Sequence, residues 1–335
     1  MGKPFIVDPI IVGLKDPTLE AVNRAVAAEG NAEPPRAKLG ASGVGHPCER
    51  KSWLQFRWAL DRDIEPKGVR AIRSGHRGED EMAEDLRKVP GIQLWTEQEP
   101  GKQIGFMDLN DHFGGSLDGI IKGLIQAPVT PHVWENKVCN EKKTAKLQEL
   151  KDTVGEKQAL RAWDPVYWAQ AQLYMHYLQL DRHYLTCCTP GLRDVVSVRT
   201  EYDMAEAMKL QIKAARIIFS SRPPAKLSED PSWYECKYCD FWALCHEVEK
   251  PVFPSVNCRT CTHSTPLQES EMPADAEGTW HCAKFDNTLS TDRQREGCSA
   301  HLYHPDLVPG VAEDSDEETV TYTLRNGETW IDGPK

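Results

Sequence analysis

The 335-residue chain has no apolar run long enough to cross a bilayer, and its mean hydropathy is −0.55. An export signal is missing too. The opening MGKPFIVDPIIVGL carries one lysine and then an apolar stretch broken by Asp8 and Pro9, with no small-residue cleavage site behind it. No solenoid or propeller period recurs along the sequence. These absences predict a soluble, cytoplasmic protein with no membrane partner. In a reducing compartment structural disulfides are uncommon, so the eleven cysteines are expected to serve metals as thiolates.

With 40% hydrophobic and 8% aromatic residues the composition is that of a globular protein, long enough for one generous core or two modest ones. The net charge of −11 argues against a nucleic-acid partner only until it is divided along the chain. Residues 311 to 335 hold seven acids against Arg325 and Lys335, which accounts for −5 of the total. From Cys48 to Arg77 the balance reverses to +4: Arg50, Lys51, Arg57, Arg62, Lys67, Arg70, Arg73 and Arg77 stand against Glu49, Asp61, Asp63 and Glu65. Phosphate affinity follows local charge, although a solvated helix face explains any one of these arginines as well.

Periodicity divides the chain into a leader, 1 to 40, followed by helical patterns at 49 to 60 and 76 to 88. Strand-like runs follow at 93 to 96, 104 to 109, 115 to 124 and 132 to 138. A helix-favouring stretch, 141 to 161, precedes a helix at 165 to 178, strands at 183 to 189 and 195 to 202, and a helix at 204 to 220. That order predicts an α/β fold with a mixed sheet flanked by helices. Pro251 and Pro254 suggest a boundary near 251, with a cysteine-rich module at 251 to 310 and an acidic tail at 311 to 335. Within the tail, 319 to 331 can form a hairpin around Asn326-Gly327 or stay disordered.

Phosphodiester hydrolysis needs one or two hard cations, which bind carboxylate oxygens held on rigid backbone. Asp118, amid the strand formers Gly115 to Ile121, is such a candidate, and seventeen residues later Glu135 and Lys137 stand two apart, on one face of a strand. A surface salt bridge would explain an E-x-K pair alone. Here His76 and Glu79 share a helix face upstream, while Gln170 and Tyr174 share one downstream.

Glu79, Asp118, Glu135-Asn136-Lys137 and Gln170-x3-Tyr174 follow one another in an order that resembles the PD-(D/E)XK nucleases of the RecB and lambda-exonuclease branch, over residues 41 to 250. The resemblance is to the phage-type and CRISPR-associated relatives. It implies a restriction-endonuclease-like fold in which Asp118, Glu135 and the carbonyl of Asn136 bind Mg2+ or Mn2+. Glu79 or His76 would complete that site, and Lys137 would assist the nucleophile. Gln170 and Tyr174 would line the wall facing DNA.

Cys236-x2-Cys239-x5-Cys245 puts three thiols in ten residues, a density that suggests metal ligation. The resemblance supplies a fourth, Cys48, and implies a [4Fe-4S] cluster stapling both ends of the nuclease domain. Spacing alone leaves zinc open, with His46 or His246 as further donors. Cys258, Cys261, Cys282 and Cys298 suit a zinc-binding, zinc-ribbon-like appendage, with His263, His281, His301 and His304 as possible substitutes. Cys139, Cys187 and Cys188 are expected to be core residues in strands.

The function this implies is a metal-dependent deoxyribonuclease, an exonuclease acting on single strands or duplex ends in phage recombination, replication or DNA degradation, alongside proteins of those processes. A phage-encoded chain would work in the host cytoplasm. The alternative is a metal-stapled DNA- or protein-binding scaffold without turnover, which has no need of Asp118, Glu135 and Lys137 together.

Overall fold

The computed structural model describes residues 16–268 and 278–334, so the opening stretch through Leu14 and the terminal Lys335 lie outside it. Helix α1 (Pro17–Asn31) starts where Asp16 accepts the Thr18 and Leu19 N–H groups and proline occupies the first turn. A short strand β1 (Leu39–Gly40) leads into α2 (Ala41–Val44), α3 (Glu49–Phe56) and the long α4 (Pro66–Arg87). A run of strands follows: β2 (Gln93–Trp95), β3 (Glu97–Glu99), β4 (Lys102–Gln103), β5 (Gly105–Asp108), β6 (Phe113–Ser116), β7 (Gly119–Lys122) and β8 (His132–Val138). Three helices come next, α5 (Glu141–Val154), α6 (Glu156–Trp163) and α7 (Pro165–Leu178), then β9 (Arg182–Cys188), β10 (Val195–Glu201) and α8 (Met204–Phe219).

The central sheet has the order β10-β9-β8-β7-β2, parallel only between β8 and β9. A parallel pair needs a long crossover, and α5 to α7 supply it. This is the expected mixed α/β sheet flanked by helices. Among the described residues, no helix is long and apolar enough to cross a membrane.

Three expected boundaries shift, each for a local reason. The helix expected from residue 76 begins ten residues earlier, because Pro66 provides a helix start that the charged first turns obscure. The stretch 141 to 161 breaks at Gly155, whose φ of +86° ends α5. The run from Gly115 to Leu124 is two strands rather than one: β6 pairs with β1 and β5, while β7 joins the central sheet. Asp118 sits in the gap between them.

Beyond α8 come two short helices, α9 (Tyr234–Lys237) and α10 (Trp242–His246), then an antiparallel sheet of β11 (Ser264–Pro266), β12 (Trp280–Cys282) and β13 (Asn287–Leu289). Helix α11 (Thr291–Arg295) follows, and the chain ends in a meander of β14 (Gly310–Ser315), β15 (Val320–Leu324) and β16 (Thr329–Asp332). The hairpin at Asn326-Gly327 is therefore present, and acidic residues ahead of it form a third strand. Trp280, Leu289 and Leu307 share one buried cluster with Trp53, Leu173 and Val198, so the cysteine-rich segment packs into the main core. Arg259, fully buried, fastens the two together: its guanidinium donates to the carbonyls of Phe56 and Ala37 and to Gln294 Oε1, each at 2.8 Å. Arg57, counted above in the basic stretch, is buried beside it, with its guanidinium 4.4 Å from the Trp53 ring.

Candidate active site

The site forms where β7 and β8 pair. Their register sets Gly119 opposite Trp134, and one further step brings Asp118 alongside Glu135. The Asn136 N–H donates to Asp118 Oδ2 at 2.7 Å and fixes that carboxylate against the sheet. Alternation along β8 turns Glu135 and Lys137 to the same face, with Lys137 Nζ 2.5 Å from Glu135 Oε2. The Asn136 side chain points the other way, to Thr186 Oγ1 and Cys188 Sγ, leaving only its carbonyl as a possible ligand.

Helix α4 brings Glu79 to the same place. A Cβ on Gly78 would lie 2.5 Å from Val138 Cγ2, so glycine is what lets the helix approach β8 this closely. Glu79 is then partly buried near Asp118, while His76, one turn earlier, stays exposed at the rim.

The acids oppose one another. Burial, and then the negative charge of Asp118, push Glu79 up to about 7. Glu135 is raised by burial and again by Asp118, and Asp118 itself is raised by burial against the pull of Lys137. Lys137 is held firmly protonated because its two acid neighbours outweigh its desolvation. Glu135 Oε1 is buried with no hydrogen-bond partner.

Gln170 and Tyr174, which the resemblance puts on the wall facing DNA, lie on α7 beside Glu135. They are 7% and 2% exposed. Gln170 Nε2 donates to Tyr174 Oη at 2.9 Å and approaches Glu135 Oε2 at 3.5 Å, while Tyr174 Oη donates to the Ser116 carbonyl at 2.6 Å. They brace the Glu135 carboxylate and the corner before Asp118. Gly115 makes room, since a Cβ there would lie 2.7 Å from the Tyr174 ring.

A residue the sequence reading passed over, Tyr167, lies one turn before Gln170 with its ring 5.4 Å from Lys137 Nζ. The signal was available in the i, i+3, i+7 spacing of Tyr167, Gln170 and Tyr174. Cys139 also departs from expectation: it lies just past β8 and is half-buried. A hydrogen bond with Cys187, and then Lys143 and Lys137, bring its thiol down to about 7.

Cys48, Cys236, Cys239 and Cys245 line one small cavity with Leu54, Phe241 and Trp242. Burial, followed by the neighbouring thiols, raises Cys236. Cys258, Cys261, Cys282 and Cys298 line a second cavity, where burial and then Cys261 push Cys258 up to about 11. Its sulfur is turned toward the carbonyls of Arg293 and Glu296, at 3.5 Å each. Among the described residues, no group of three or more His, Cys, Asp or Glu side chains stands ready, as placed, to hold a metal ion.

No family model matches the chain, and no curated protein does. Solved structures similar to it include an alkaline exonuclease from Laribacter hongkongensis, 18% identical, covering 58% of this chain and 90% of that one with a TM-score of 0.38. Another is a phage-related exonuclease from Haemophilus somnus 129PT, 12% identical, covering 54% and 91% with a TM-score of 0.38. Likeness at this level carries no weight on function, which has to be argued from the side chains.

Proposed function

We propose that the chain is a Mg2+- or Mn2+-dependent DNA nuclease of the PD-(D/E)XK type, acting as an exonuclease on single strands or duplex ends. One observation carries the reading: three buried or half-buried acids, from α4, the gap before β7 and β8, crowd together around one ammonium group, Lys137, with Glu135 Oε1 left unpartnered. Acids crowded this way resist ionisation, and a divalent cation relieves the crowding. The hard oxygen donors of Asp118, Glu135 and Glu79, with the Asn136 carbonyl, have the chemistry that such an ion takes, and when bound it would polarise a phosphate oxygen and make water more acidic. His76 is the alternative donor at the rim.

Lys137 keeps its proton and holds positive charge beside the position where a phosphate would gather negative charge. Gln170 and Tyr174 keep Glu135 from rotating away. A scaffold without turnover gains nothing from the unfavourable proximity of these acids.

We further propose an iron-sulfur cluster at Cys48, Cys236, Cys239 and Cys245, and zinc at Cys258, Cys261, Cys282 and Cys298. The first set fits through its donor chemistry. His46 Nδ1 accepts the Cys48 N–H at 3.0 Å and its Nε2 faces Glu235 at 3.7 Å, so this imidazole is committed elsewhere, which leaves the four sulfurs and His246 on the cavity wall. A role in phage recombination, replication or DNA degradation would suit such an enzyme.

Cleavage of labelled DNA should require Mg2+ or Mn2+, stop in EDTA, and be lost in Asp118→Asn. Cutting by Asp118→Asn at the wild-type rate would end the assignment. Iron and zinc analysis with an absorbance spectrum on the same anaerobic preparation tests the cysteine sets, and zinc without iron would remove the cluster.

A further inference from the structure

Helix α7 carries its site-facing stripe one turn past Gln170, out to the surface. Tyr167 occupies that turn, half-buried where Gln170 and Tyr174 are buried. Its ring lies 5.4 Å from Lys137 Nζ and 4.8 Å from Lys143 Nζ. Trp163 lies beside it, with ring centroids 5.8 Å apart and the planes tilted 46°, and Lys143 Nζ is 4.9 Å from the indole as well. Two aromatic rings and two ammonium groups thus meet at the edge of the acid cluster.

The group is held as one piece. Asp164 Oδ1 caps α7 by accepting the Val166 and Tyr167 N–H groups at 3.1 Å, and its Oδ2 accepts from Lys143 Nζ at 2.9 Å. Trp163 Nε1 donates to the Lys143 carbonyl at 2.8 Å. These bonds fix the rings, each of which stays only partly buried with an ammonium group against it. Partly open aromatic rings flanked by fixed cations match the chemistry of an unpaired nucleotide, whose base stacks on a ring while its phosphate meets an ammonium group. A base inside a duplex has both faces occupied by its neighbours, so it cannot use such a surface without leaving the stack.

We propose that Tyr167, Trp163 and Lys143 form a shelf that receives one unpaired nucleotide of a DNA strand next to the bond attacked beside Lys137, making single-stranded DNA the preferred substrate. The identity of the polymer rests on the nuclease reading above. The shelf itself is testable without turnover.

The experiment is fluorescence anisotropy in EDTA with a labelled single-stranded oligonucleotide, a blunt duplex, and a series of single strands each bearing one abasic position. Tyr167→Phe, which keeps the ring, should bind the single strand as the parent does. Tyr167→Leu, which keeps bulk without the ring, should bind it roughly tenfold more weakly. Duplex affinity should not change in either. One abasic position should weaken the parent by a similar factor and abolish the difference between parent and Leu variant.

Parental affinity in Tyr167→Leu, or an equal loss on duplex and single strand, would overturn the shelf. Thermal melts of both variants check folding, and the abasic series on the parent decides the matter if a variant unfolds. Single-strand binding that follows this pattern in a protein that cuts nothing with either metal keeps the shelf and removes the nuclease. Cleavage with no dependence on Tyr167 does the reverse.

Discussion

The acids around Glu135 and the guanidiniums of Arg57 and Arg259 are all withdrawn from water, and the two groups meet that cost in opposite ways. Arg259 places three of its nitrogens on carbonyl or amide oxygens and lies 3.7 Å from the Trp58 ring centroid. Arg57 donates to the carbonyls of Arg259 and Ser220 and leaves only Nε unpartnered. Burial alone brings Arg57 down to about 9, yet its neighbours are carbonyl oxygens and aromatic faces. The acids have one half-buried cation among three carboxylates and an oxygen with no partner. A buried charge that the protein satisfies is part of its frame, whereas buried charges left in mutual conflict mark the place where a ligand is expected.

Removing the one cation from the acid cluster should produce the largest effect. Lys137→Ala is expected to slow cleavage on the order of 10³-fold while DNA affinity in EDTA stays near that of the parent. Single-turnover rates and anisotropy measure the two parts. Unchanged cleavage would mean that the ammonium group is an ion-pair partner and nothing more.

On the other side of the comparison, Arg259→Met fills the space but strands three buried acceptors. Each unsatisfied acceptor costs on the order of 1 kcal/mol or more, so the variant should lose about 3 kcal/mol or more of stability. Urea denaturation reads it directly, and cleavage per folded molecule should be preserved. A parental midpoint would show that the cysteine-rich segment is held by its apolar contacts alone.

The two regions were not equally legible in the sequence. Strand β8 and helix α7 lie where alternation, Asp164 and Pro165 put them, and they carry Glu135, Lys137, Gln170 and Tyr174. The order of those residues with Asp118 and Glu79 was readable because each needs only a local pattern. The gap at Asp118 was not, because strand formers flank it on both sides and the break comes from two sheets diverging. The burial of Gln170 and Tyr174 depends on Gly115 and the Ser116 carbonyl, which belong to another element. Arg57 reads as one of eight cations in a basic stretch. Its actual surroundings include Trp280, more than two hundred residues away, although Trp53, Phe56 and Trp58 nearby gave a hint.

The smallest effect separates the two candidate ligands on α4. Glu79 is raised to about 7 by burial and Asp118, so between the ordinary carboxylate range and pH 7 the folded protein holds a proton that the unfolded chain has released. Stability of the metal-free protein therefore falls as pH rises through that window. Glu79→Gln does not titrate and escapes the fall. In EDTA it should gain about 1 kcal/mol on the parent at about pH 8, allowing for solvent screening at a partly exposed position, and nothing of this origin below about pH 4. Urea midpoints across that range test the sign, and parallel profiles would remove Glu79 from the cluster. Repeating the series in Mg2+ asks a second question. If the Glu79 carboxylate binds the ion, Mg2+ stabilises the parent more than the variant and narrows or reverses the order; if both gain equally, the helix contributes His76 instead.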